Sequence, residues 1–231
     1  MPIRVVSSGA FAPAYSVLVP MYEQRTGTGI ESLRGPSLGP DPASVPNRLK
    51  RGEDIDIVIM SGPGLIQMME QGYVSERTDL ARSLIGLAVR EGAAIPDIAT
   101  PASLRATLLA AASIGTSVSV SGAYVRETML GLLGIAEQVR DKVRVVTGEP
   151  VAALIARGEV ELGFQQISEL KPVAGITLVG KLPDAVQQET VFSAGLVAAS
   201  RQQDQARALI RFLSSAEAAP AIIESGMEPA S

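Results

Sequence analysis

Apolar runs of strand length recur along this chain, each closing in a small polar loop and leading into a stretch with helical spacing. The first run, Ile3-Arg4-Val5-Val6, ends in Ser7-Ser8-Gly9-Ala10. A helix is predicted next, from about Pro13 to Arg25. Tyr15, Leu18, Val19 and Tyr22 fall at the i, i+3, i+4, i+7 spacing of one buried face. Pro13 suits its first turn, Pro20 should kink it, and Gly27 stops it. Strand two, Ile30 to Leu33, opens on Arg34-Gly35-Pro36-Ser37, and a Pro-rich loop leads to a short helix from Asn47 to Arg51. Strand three, Ile55 to Met60, ends at Ser61 before a helix from Pro63 to Gln71 that Gly72 terminates. Three strands thus end in Ser, Gly or Arg. Strand ends that open onto helix N-termini are where open α/β sheets bind anions, because free N–H groups and the helix dipole converge there.

A further strand, Leu84 to Val89, runs into Arg90-Glu91-Gly92, and the grammar then restarts. A helix from Ser103 to Ala112, capped by Ser103 or Thr100, precedes a strand from Ser113 to Val118. Ser121-Gly122 opens a helix predicted to carry Val125, Met129 and Leu132 on one face. Strands are expected at Lys142 to Val146, Leu162 to Ile167, Ile176 to Val179 and Thr190 to Ala198, with a helix from Pro150 to Arg157. Helices from Gln203 to Leu213 and Ala216 to Ser225 finish the chain. The layout is two α/β units, the second inserted in the first: residues 1–89 and 193–231 form one, 90–192 the other. Crossovers are expected near Val89–Gly92 and Thr190–Gly195; one continuous doubly wound sheet is the alternative.

Composition narrows the chemistry. With 231 residues and 46% apolar side chains, the chain has ample material for a buried core. A net charge of −4 lacks the basic excess of nucleic-acid or anionic-lipid binders. The sequence has no Cys, which excludes disulfides, thiolate nucleophiles and Cys-ligated metal, and no His, the usual general base near neutrality. No run approaches the roughly 18 uninterrupted apolar residues of a membrane span, so no membrane insertion is expected. The first strand begins at Ile3 with no basic and apolar leader before it, which reads as cytoplasmic as given, or periplasmic if a leader was removed.

These residues resemble a known family. Val5-Val6-Ser7-Ser8-Gly9-Ala10-Phe11, Pro20-Met21-Tyr22-Glu23-Gln24-Arg25-Thr26-Gly27 and Gly52-Glu53-Asp54-Ile55-Asp56-Ile57-Val58-Ile59 carry the resemblance in the first unit. Ser119-Val120-Ser121-Gly122-Ala123-Tyr124 and Gly163-Phe164-Gln165-Gln166-Ile167-Ser168-Glu169 carry it in the second. Their order and spacing are similar to the type II periplasmic-binding proteins, in the group that contains molybdate-binding proteins of ABC importers. That resemblance implies an α/β fold of two lobes, two hinge strands and a ligand cleft between the lobes. It also implies an ABC permease as partner if the chain is secreted. One departure is informative: molybdate sites of the family use neutral hydroxyls and backbone amides, whereas the second loop here holds Arg34, whose guanidinium fork suits a planar carboxylate. With Gln-Ile-Ser-Glu followed by Pro172-Val173-Ala174-Gly175-Ile176, the chain looks more like the aconitate isomerases of this group.

Candidate ligand residues are Ser8, Gly9 and Ala10 as one anion cradle, with Arg34, Ser37 and Ser61 beside it. A bland alternative stands next to each: a packing turn, a solvated loop arginine, a helix cap for Ser61. Ser119, Ser121, Gly122 and Ala123 repeat the cradle in the second unit, while Arg126 reads as a surface residue. Gln165 and Gln166 are unusually polar for an apolar strand end and suit a ligand. Glu169 is the nearest acid–base candidate, although a glutamate in a first helical turn also stabilises the helix dipole. Tyr124 is the other catalytic candidate, against a role in the core. No metal or cofactor is expected. Two functions follow: a cofactor-independent isomerase of an unsaturated di- or tricarboxylate, or a non-enzymatic receptor or sensor for a small oxyanion or carboxylate.

Overall fold

The computed structural model describes residues 1–230. In chain order come β1 (Ile3–Ser7), α1 (Ala12–Thr26), β2 (Ile30–Arg34), α2 (Val45–Lys50), β3 (Ile57–Ser61) and α3 (Gly62–Glu70). A 17-residue strand, β4 (Val74–Arg90), leads to α4 (Pro101–Ala110), β5 (Ile114–Ser117) and α5 (Val120–Tyr124). A π-helical turn, Val125–Met129, joins α5 to α6 (Leu130–Leu132), and α7 (Ala136–Val139) follows. Then come β6 (Val143–Val146), α8 (Val151–Arg157), β7 (Leu162–Gln166), α9 (Ile167–Leu170) and β8 (Ile176–Lys181). The last elements are β9 (Glu189–Val197), α10 (Gln203–Leu213), α11 (Ala219–Glu224) and β10 (Glu228–Pro229). The chain divides into two compact units, Met1–Ser83 with Thr190–Ser231, and Leu84–Glu189. None of the described helices is long and apolar enough to cross a membrane.

In unit 1 the strand order is β2-β1-β3-β9, with β1 parallel to both β2 and β3, and β9 antiparallel to β3. Successive strand residues face opposite sides, and helices cover both. Ile3, Val5, Ile57 and Ile59 pack against Tyr15 and Leu18 of α1 and Leu209 and Leu213 of α10. Val6, Val58 and Met60 pack against Leu49, Leu65 and Met68 on the other face. Double coverage explains why Ile57–Met60 reads as a continuous apolar run. Tyr15, Leu18, Val19 and Tyr22 are the buried stripe that the spacing predicts, and α1 runs through Pro20. Because β1, β2 and β3 are parallel, Ser7, Arg34 and Ser61 end at one edge of the sheet.

Unit 2 orders its strands β6-β5-β7-β4, with β5 parallel to β6 and β7 and with β4 antiparallel to β7. Strand β8 pairs antiparallel with β4. Thr100 caps α4 by accepting from the Ser103 N–H, and Ser103 returns a bond to the Thr100 N–H, so both residues singled out as caps act together. One expectation fails here: Leu132 is 63% exposed, while Val125, Met129, Leu130 and Leu133 are buried. The π turn is the reason. It lengthens the backbone loop from i→i+4 to i→i+5, so the residue meeting the core after Met129 moves one place on, to Leu133. A second difference is the length of β4, predicted to begin at Leu84 and in fact beginning at Val74. Ser75, Glu76, Arg77, Thr78 and Asp79 gave its first half too polar a character to read as strand.

Candidate functional site

The edge where β1, β2 and β3 end gathers the first set of candidates. Ser8 is 3% exposed; its N–H donates to the Ile59 carbonyl at 2.8 Å, which ties the turn to β3, and its Oγ has no hydrogen-bond partner. Gly9, Ala10 and Phe11 complete the turn into α1. At the start of α1 the Ala12 N–H donates to the Gly9 carbonyl at 3.1 Å and Pro13 has no N–H, while neither a side-chain cap nor an acidic residue covers this positive end of the helix dipole. Arg34 closes β2 in register with Ser7 and makes no ion pair or hydrogen bond among the described residues. It is exposed overall, yet desolvation lowers its pKa from the ordinary arginine value, an effect that the neighbouring Tyr15 partly offsets. Burial pushes the Tyr15 phenol up to about 12, so that ring stays neutral, hydrogen-bonded to Ser32 Oγ at 3.1 Å. Ser37 Oγ accepts the Ser61 N–H at 3.0 Å. Ser61 occupies the N-cap position of α3 without making a side-chain cap bond, and its Oγ is fully buried and has no partner among the described residues. Among the described residues, unit 1 therefore presents two hydroxyls without a partner, an uncapped helix start and a guanidinium without an ion pair along one sheet edge.

In unit 2 the ends of β5 and β7 gather the second set. Ser117 Oγ lies 2.6 Å from Ser119 Oγ, which lies 3.3 Å from Ser121 Oγ, a chain of hydroxyls around the start of α5. Gly122 is required for packing as well: a Cβ there would stand 1.9 Å from the Ser117 carbonyl oxygen. Ala123 donates its N–H back to the Ser119 carbonyl. Arg126, expected on the surface, instead donates from Nη1 to the Ser117 carbonyl at 2.5 Å and to Thr116 Oγ1 at 3.1 Å. The signal was present: Arg126 follows the close-packed Gly122 by four residues and so shares its helix face. Tyr124 donates its hydroxyl to the Val186 carbonyl at 3.0 Å and packs on the hydrophobic core of this unit, which engages its proton.

Gln165 and Gln166 are buried at the end of β7. The Oε1 of Gln165 accepts the Ala152 N–H at 2.9 Å, and its side chain also bonds the Glu169 carboxyl. Gln166 is the N-cap of α9, and its N–H donates to Glu169, the glutamate half of a capping box. Ser168 Oγ is buried with no partner among the described residues. Burial raises the Glu169 pKa from 4.5 to about 7, against the lowering pull of the Gln166 and Gln165 hydrogen bonds. The sign of the linkage follows. Below pH 4.5 folded and unfolded chains both hold the proton; between 4.5 and 7 the unfolded chain loses it first, and stability falls. By pH 8 the loss should approach about 3 kcal/mol. Glu169→Gln should therefore raise the thermal midpoint relative to the parent at pH 8 and leave it unchanged at pH 4, as read by calorimetry at both values.

The sequence of residues 3–228 matches the family model described as bacterial extracellular solute-binding protein. An aconitate isomerase from a Pseudomonas species is 40% identical over 229 residues, covering 98% of this chain and 87% of that protein. The periplasmic molybdate-binding protein of Azotobacter vinelandii superposes with a TM-score of 0.79 at 17% identity, over 97% of this chain and 98% of that one. The substrate-binding domain of a putative molybdenum ABC transporter from Clostridium difficile gives a TM-score of 0.75 at 17% identity, over 100% and 99% of the two chains. At such identities the two structures speak to fold alone: the two-lobe α/β fold of the periplasmic-binding proteins. The matches to sequence go further, and on them the chain belongs to the bacterial extracellular solute-binding protein family.

Proposed function

We propose that this chain is a cofactor-independent isomerase that shifts the double bond of a small unsaturated tricarboxylate of the aconitate type. The observation that carries this reading is Glu169, a carboxyl held near pKa 7 at the strand-end edge of unit 2, in a chain 40% identical to an aconitate isomerase. A base that titrates near the working pH is effective in both directions of proton transfer. In an allylic shift Glu169 takes a proton from the substrate methylene, and the electron pair delocalises onto a substrate carboxylate as a dienolate. Glu169, once its proton has exchanged with solvent, protonates the other allylic carbon, and the double bond moves with no oxidant, reductant or metal. Open helix N–H groups and Arg34 suit the developing oxyanion and the carboxylates. Ser8, Gly9, Ala10, Ser37 and Ser61 in unit 1, and Ser119, Ser121, Gly122, Ala123, Gln165 and Gln166 in unit 2, are the proposed ligand contacts. Tyr124 is the less suitable acid, because its hydroxyl is already given to Val186.

A second reading, a receptor without turnover, draws support from the capping bond that Glu169 accepts from Gln166, which gives that carboxyl a structural task. In that case an ABC permease is the partner. For either reading the family name favours the periplasm. The deciding experiment is incubation with cis-aconitate in deuterated water, followed by NMR. The isomerase should form trans-aconitate carrying deuterium at the receiving carbon, with chelator present and no metal added. Tight binding of the substrate without conversion would return the chain to the receptor class.

A further inference from the structure

Arg77 has no place in the site so far, although its surroundings have the chemistry of an anion subsite. It lies on β4 within unit 1, and its Nε donates to Asp79 Oδ1 at 2.7 Å. Asp79 is itself fixed by the Ser193 hydroxyl at 2.6 Å and is under the charge of Arg82 as well as Arg77. Against the raising effect of burial, these neighbours hold the Asp79 carboxyl below the ordinary aspartate range. The two terminal nitrogens of Arg77 have no hydrogen-bond partner among the described residues. They reach the first residue of α3: a Cβ placed on Gly62 would stand 3.1 Å from Arg77 Nη2.

A guanidinium beside the positive end of a helix dipole is unfavourable unless an anion joins them. The nine-residue helix α3 has no acidic residue in its first turn and no side-chain cap. Its Ser61 hydroxyl, 0% exposed and without a partner, points into that turn, 3.1 Å from where a Cβ on Gly64 would lie. We infer that Arg77, Ser61 and the first turn of α3 form a second carboxylate subsite in unit 1, separate from that of Arg34, and that Arg77 is a specificity-determining residue for ligands with more than one carboxylate. Asp79 holds the guanidinium by Nε and leaves the Nη edge, the fork that matches a carboxylate, turned toward the helix start. Deeper in the same edge, Ser61 lends a hydroxyl that has no partner among the described residues.

This subsite presupposes the polycarboxylate ligand proposed above, and its test is binding rather than turnover. Titration calorimetry would compare trans-aconitate with mesaconate, itaconate and glutaconate, which between them each lack a different one of its carboxylates. Arg77→Ala should weaken trans-aconitate by about tenfold or more, as loss of a charge-assisted contact does. It should weaken at least one of the three dicarboxylates, the one without the group that Arg77 receives, by less than about twofold. Arg77→Lys, which keeps the charge and loses the fork, should fall between. Gly62→Ala is the second probe: its methyl displaces the Nη edge while alanine is the better helix former, so the same ligand pattern should appear without loss of thermal stability. Equal weakening of all four ligands by Arg77→Ala, unchanged trans-aconitate affinity in both variants, or a parent protein that binds none of the four overturns the subsite. Binding with the expected pattern but no isomerisation leaves the subsite standing and removes the isomerase reading.

Discussion

Glu169→Gln should lower kcat for cis-to-trans conversion of aconitate by about 10²–10⁴ while leaving KM within a few fold of the parent value. Glutamine keeps the length of the side chain and an oxygen that accepts the Gln166 N–H, so the start of α9 survives the change. What it loses is basicity. A rate loss without folding loss separates the acid–base role from the capping role. The parent's kcat should also rise with pH through about 7, as the carboxyl ionises, and this limb should vanish in the variant. Full activity in Glu169→Gln would reduce Glu169 to a helix cap and move the search to another proton acceptor.

Arg34→Ala has the second-largest expected effect, a weakening of carboxylate ligands by roughly 1.5–3 kcal/mol, the range for a lost charge-assisted hydrogen bond. That is about 10- to 150-fold in dissociation constant. The reason for expecting a large value is that Arg34 has no carboxylate partner among the described residues, so the ligand need not compete for it. A tetrahedral oxyanion such as molybdate, held by hydroxyls and amides, should lose far less. Calorimetric titration of parent and variant with trans-aconitate and molybdate measures both. Unchanged carboxylate affinity would place Arg34 outside the site.

Much of unit 1 is legible from the chain alone because its parallel strands are buried on both faces, which leaves apolar runs such as Ile57–Met60 ending abruptly in polar loops. That abruptness located Ser8, Arg34 and Ser61. Helix α10 was readable to its end residues, since its apolar positions face one core and its polar ones face water. Arg77 was hidden for the opposite reason. It lies in the first half of β4, where charged residues alternate with no apolar partner, and a strand of that kind has no period to betray it. The contacts of Arg126 and Tyr124 were not legible because their partners, the Ser117 and Val186 carbonyls, are backbone groups that no residue type announces. The raised pKa of Glu169 likewise arises from burial, which a sequence does not print.

The π turn at Val125–Met129 has a consequence for how tolerant this part of the molecule is to change. Upstream of it, the angular phase of the helix is set by the serine turn, where Gly122 abuts the Ser117 backbone. Downstream, the phase is set by Leu130 and Leu133 seating in their hydrophobic pocket. The extra residue works as a phase shifter between the two, so each end meets its own constraint without compromise from the other. Substitutions at the serine end can therefore accumulate without dislodging the leucines, whereas deletion of one residue between Val125 and Met129 would force a single phase on both.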